Sequence, residues 1–134
     1  MSNLHFSLVI LTVCLISQSS GKAGVHIISG VPDHPSPLQA RCQSKDDDIG
    51  THTLLNGEEF SWRFRPNIIP TTLYFCHFYW GAKDRSFAVY DARISRLCKQ
   101  DDYWNCDYYW VATPTGFNVS ADNKVTWKTL NYWN

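Results

Sequence analysis

Hydrophobic and polar residues alternate with a period of two along several short stretches of this chain, as strands with one buried and one wet face require. Phe60, Trp62 and Phe64 alternate with Ser61, Arg63 and Arg65, and Leu38, Ala40 and Cys42 alternate with Gln39, Arg41 and Gln43. Residues 73–80 read LYFCHFYW, apolar at both parities, which predicts a central strand covered on both faces. Residues 81–85 supply a turn and residues 86–90 return, so a hairpin is expected. Residues 108–112 and 117–120 flank Pro114 and Gly116 as a second hairpin, with short strands at 25–28 and 125–127. Beyond the leader no window carries the i, i+3, i+4, i+7 stripe of an amphipathic helix. The pattern predicts an all-β fold, a small antiparallel sandwich or barrel.

The N-terminal pattern differs. Residues 6–16 read FSLVILTVCLI, an uncharged apolar run too short to span a bilayer as a helix. Ser19, Ser20, Gly21 and Ala23 follow, so residues 1–23 read as a signal peptide cleaved after Gly21 or Ala23. The region before the run is weak, since only His5 precedes it and no Lys or Arg does. No second long apolar stretch follows, so the expected mature chain is secreted, extracellular and without a membrane span. Residues 24–134 form one domain. Lys plus Arg and Asp plus Glu both total 12, so net charge does not suggest nucleic-acid binding. Six Trp, 7 Tyr and 7 Phe lean the composition further towards β structure.

Secretion changes the meaning of the cysteines. Cys14 lies in the leader, and Cys42, Cys76, Cys98 and Cys106 remain, an even number suited to two disulfides. Four cysteines permit three pairings, and their spacing does not choose among them. Zinc binding is disfavoured, because the four are scattered and contain no C-x-x-C pair.

Candidate chemistry is sparse. Asp46, Asp47 and Asp48 stand consecutively, whereas a calcium loop alternates its ligands so that they converge; the triplet reads as a solvated loop. No metal or other cofactor is implied. Among His26, His34, His52 and His77 no spaced metal-binding pair occurs, and His77 lies inside the apolar strand. A secreted hydrolase would need two of His26, His52 and His77 in one polar cleft. Alternation assigns most aromatics to the core, but Tyr103, Trp104, Tyr108 and Tyr109 crowd a polar stretch and are candidate contacts, which also admits a lectin-like binder. Asn118-Val119-Ser120 is an N-glycosylation sequon.

The block RCQSKDDDIGTHTLLNGEEFSWRFRPN, the strand TTLYFCHFYW, then FAVYDAR, Cys98, Cys106 and YYWVATPTG follow one another in this order. Their order and spacing resemble the plant self-incompatibility protein S1 family, also called S-protein homologues, over residues 25–120. The resemblance implies a secreted β-sandwich with disulfides that acts as a recognition ligand for a cell-surface receptor protein and not as an enzyme. In the family's best-understood role, a pistil-secreted member inhibits incompatible pollen. The resemblance favours the pairings Cys42–Cys106 and Cys76–Cys98. It also points to the Asp46–Asp48 loop and to Lys99, Tyr103 and Trp104 as recognition surfaces. Ser29 stands where the family usually carries Asn, and Thr115-Gly116 replaces its Asp-Gly pair. The aromatic segment between Cys98 and Cys106 and the tail after Ser120 are particular to this chain, and variable loops of this kind would set specificity.

Overall fold

The alternating segments fold into the expected strands, because each places its apolar residues on one face. The structure, a computed structural model, describes residues 22–67, 69, 71–99 and 105–134. In chain order these form β1 (Ala23–Ser29), β2 (Leu38–Gln43), β3 (Asp48–Leu54), β4 (Glu59–Phe64), β5 (Tyr74–Trp80) and β6 (Lys83–Tyr90). One helical turn, α1 (Ala92–Ser95), precedes β7 (Asp107–Ala112), β8 (Phe117–Ser120) and β9 (Lys128–Asn131).

Two sheets result, ordered β4-β1-β7-β8-β9 and β3-β2-β5-β6. Every neighbouring pair is antiparallel except β1 and β7, which run parallel. Val25 and Ile27 of β1, Tyr108 and Trp110 of β7, Cys76 and Phe78 of β5, and Val89 of β6 are almost wholly buried in one core. Rings from the two sheets meet across it: Phe78 and Phe87 both pack on Phe117 at 4.8 Å, and Phe87 lies 5.1 Å from Trp110. The buried Trp110 indole donates to the carbonyl of Val89 at 2.9 Å, so its polar atom is satisfied.

Several expectations change. Strand β5 is central within its sheet, but Phe75, His77 and Tyr79 stay partly or well exposed while Tyr74, Cys76 and Phe78 are buried. Apolar residues at both parities therefore mark one covered face and one wet aromatic face. The turn between β5 and β6 is tighter than expected, with Gly81 at φ +60° in a two-residue loop. A Cβ there would fall 2.5 Å from Pro35, so glycine suits both the dihedral and the space. The last strand lies at Lys128–Asn131, beyond the expected 125–127.

The cysteine pairing favoured by the resemblance is corrected. The bridges are Cys42–Cys76 and Cys98–Cys106. Cys42 and Cys76 are directly opposed on the neighbouring strands β2 and β5, both turned inward, with Cα atoms 4.1 Å apart. Cys106 sits just before β7 of the other sheet, where its carbonyl accepts from Gly24 N. It is reached by Cys98, just past α1, and the second bridge ties the ends of the β6–β7 connection.

Candidate recognition cleft

The SKDDD loop folds on local hydrogen bonds. Ser44 N donates to Asp47 O at 2.7 Å, and Asp47 N donates back to Ser44 Oγ at 2.9 Å. Gly50 N donates to Asp48 Oδ1 at 2.9 Å in an Asx turn, which Gly50 permits with φ +87°. The three carboxylates take different directions. Asp48 pairs with Arg41 at 3.2 Å, Asp47 accepts the Tyr74 hydroxyl at 3.1 Å, and Asp46 stays exposed. Asp48 is also the first residue of β3, so the expected all-loop triplet is one residue too long.

Opposite this loop stands the β4–β5 connection. Asn67 braces it, its N–H donating to Thr72 Oγ1 at 2.8 Å and its amide Nδ2 to Thr71 Oγ1 at 3.1 Å. Between loop and connection lies an open cleft of about 600 Å³. One wall carries Ser44, Lys45, Asp46 and Asp47, the other Arg65, Asn67, Thr71 and Thr72, and the floor includes Phe64 and Tyr74. Those two rings pack at 4.6 Å. Burial first, then the bond to Asp47, pushes the Tyr74 hydroxyl pKa above its ordinary 10.0. The hydroxyl therefore stays a donor and pins the acidic loop to the floor. An aromatic floor with charges of both signs on its rim suits a partner with mixed polar and apolar groups.

Lys99 lies elsewhere, exposed beside a smaller pocket with Arg96 and Lys128. The two expected recognition surfaces are thus not joined. Tyr103 and Trp104 fall outside the described residues, as does most of the expected signal peptide. Tyr108 is no surface contact: it is fully buried and donates to Ser95 O at 3.1 Å.

The histidines separate. His26 points out of the five-stranded sheet, His77 points out of the four-stranded sheet beside Asp84 at 2.6 Å, and His52 stacks on Phe60 at 4.0 Å. No two of them share a cleft, which removes the geometry a histidine-pair hydrolase needs. His26 is instead saturated. Its Nδ1 faces Glu59 at 3.0 Å and its Nε2 faces Asp107 at 2.9 Å, and Tyr109 stacks on the ring at 4.2 Å. Arg63 reaches the same Asp107 at 3.1 Å. Sequence reading missed this network because its members lie on three strands, although the polar parity of each residue was visible.

The sequence pattern of the family described as plant self-incompatibility protein S1 matches residues 24–133. Among curated proteins of Arabidopsis thaliana, S-protein homolog 21 is 30% identical over 99% of both chains. S-protein homolog 29 is 36% identical over 67% of each. S-protein homolog 5 is 38% identical over 51% of this chain, and there the chain spans only about half (53%) of that relative's length. A solved self-incompatibility protein homologue, from a family described as small, highly stable, secreted proteins from plants, superposes with a TM-score of 0.59. That likeness covers 87% of this chain and 98% of the other at 16% identity, and it speaks for the fold alone. With the family pattern covering nearly all the described residues, the chain belongs to the plant self-incompatibility protein S1 family.

Proposed function

We propose that this chain is a secreted plant recognition ligand that binds a cell-surface receptor protein through the cleft between the SKDDD loop and the β4–β5 connection. The observation that carries the reading is convergence. Two stretches of the first motif block that marks the family in sequence, residues 44–47 and Arg65 with Asn67, supply opposing sides of one cleft, joined by Thr71 and Thr72 of the second block. Residues tied to a purely structural role would have no need to leave Lys45, Asp46 and Arg65 exposed around it. The ligand acts without catalysis, in pollen rejection or in other cell–cell communication. Secretion accords with the description of the solved homologue. Asn118 is its glycosylation site; on β8 its carbonyl accepts the Thr129 hydroxyl at 2.6 Å, leaving the amide nitrogen to carry the glycan.

The test applies folded, oxidised, labelled protein to pollen and to other plant cells, with cross-linking to identify what it touches. A K45E/R65E variant, with folding verified by circular dichroism, should bind its receptor at least about tenfold more weakly. Undiminished binding of that variant would remove the cleft from the interface. Binding confined to non-reproductive cells would direct the role away from pollen.

A further inference from the structure

A second concavity, of about 120 Å³, lies between the segment after α1 and the β8–β9 region. Arg96 and Lys99 enter it from one side and Lys128 from the other. Among the described residues none of the three makes a salt bridge, while Arg41 and Arg63 are paired with Asp48 and Asp107. Lys83 and Lys124 rest over the rings of Trp80 and Tyr109. Among the described residues, three cations without a salt bridge therefore line one small space against a single carboxylate, and a bound anion would lower their mutual repulsion.

Among the described lining residues the one carboxylate, Asp122, offsets only part of that positive charge. Asp122 is committed to Thr126, whose N–H donates at 2.9 Å and whose hydroxyl donates as well, and to the Ser120 hydroxyl at 2.8 Å. It remains a fixed negative charge beside three positive ones. Half-buried Leu97 and Ala121 give the pocket an apolar side, backed by the buried Val119. An inorganic anion makes no use of that surface, whereas the C–H face of a sugar does. Whole-ligand pockets usually exceed about 300 Å³, so this volume takes one charged group of a larger molecule.

We infer that this pocket binds the acidic group of an anionic glycan, a uronate or sulfated sugar, held by Arg96, Lys99 and Lys128 with its ring against Leu97 and Ala121. Arginine suits the role because its planar fork meets a carboxylate or sulfate with two parallel bonds. The site is separate from the receptor cleft and does not depend on it.

The test titrates the full folded chain at low salt with trigalacturonate, a sulfated trisaccharide, neutral cellotriose, inorganic sulfate and a triglutamate peptide, read by calorimetry and by amide chemical shifts. Saturable binding of either anionic trisaccharide is expected, with shifts centred on residues 96–99 and 128, and weakened about tenfold by R96Q and by K128Q. The K45E/R65E variant should bind these sugars as the parent does, which separates this site from the cleft. Four results overturn the inference: no binding of either anionic trisaccharide, equal binding of cellotriose, equal binding of triglutamate or inorganic sulfate, or binding indifferent to both R96Q and K128Q.

Discussion

At Asp122 the bonds from Thr126 and Ser120 hold the carboxylate well below its ordinary 3.8, at about 2, with the Thr126 hydroxyl the largest cause. A depressed carboxyl stabilises the fold where it is ionised in both states, and that stability is lost as pH falls through the folded value. D122N should therefore be less stable than the parent at neutral pH. The difference should persist down to about pH 4 and shrink towards pH 2, as urea titrations across that range would show. The same bonds explain a missed boundary. Residues 125–127 have strand propensity, but the Asp122 side chain wraps residues 122–126 into a turn, and Lys124 N also donates to Ser120 Oγ at 3.0 Å. An Asp four residues before a Thr was the available signal, and a side-chain-to-backbone bond outweighed propensity. At Tyr74 the sign reverses. Its raised pKa contributes stability below pH 10 that fades as pH rises through the folded value. Y74F should cost about 0.5–1.5 kcal/mol at neutral pH and show less alkaline loss than the parent.

Among the elements, those with inward aromatic or branched residues every second position were legible, because burial writes that period directly. Strands β4, β7 and β8 fall within a residue of expectation. Edge strand β3 was not visible, since in DIGTHTL only Leu54 is buried and hydrogen bonding to β2 supplies the rest. The single turn α1 was too short for any stripe; its marker is Asp91, whose side chain caps Ile94 N at 2.8 Å. Disulfide pairing was also hidden, because it depends on which strands become neighbours. The pairing found carries its own prediction. Cys42–Cys76 closes a separation of 34 residues and Cys98–Cys106 one of 8, so C42A/C76A should destabilise more than C98A/C106A, by about 1 kcal/mol from chain entropy. Paired thermal and urea melts of the two double variants would measure the gap. The segment after β9 acts as a strap. Trp133 packs 4.5 Å from Phe117 and donates to Thr113 O, while Asn134 N reaches Asp84 O at 3.2 Å on β6. W133A should cost about 2–3 kcal/mol, against under about 0.5 for the exposed Tyr132 changed to Ala.

On the scale of the whole molecule, periodicity reports burial but not strand direction or order, so the parallel β1–β7 pair left no mark in the sequence. The same limit hid the cleft. Both stretches of the first motif block stand plainly in the sequence, yet their meeting depends on β2 and β5 pairing within one sheet while β4 lies in the other. The parallel pair also bears on where the mature chain begins. β1 is an interior strand, flanked by β4 and β7 from its first residues, with Ala23 opposite Phe64 and wholly buried. Gly24 is buried too, and its N–H is spent on Cys106 O at 3.0 Å. Cleavage after Ala23 would delete a core residue and place a new ammonium inside the sheet, where charge is costly. Cleavage after Gly21 would leave the ammonium on Lys22, which is exposed. If the leader is removed as the proposed secretion requires, the chain should therefore start at Lys22, and mass spectrometry of its N-terminal peptide reads this directly. A Gly24 start would show that β1 tolerates a charged end within the sheet and would overturn the Lys22 start.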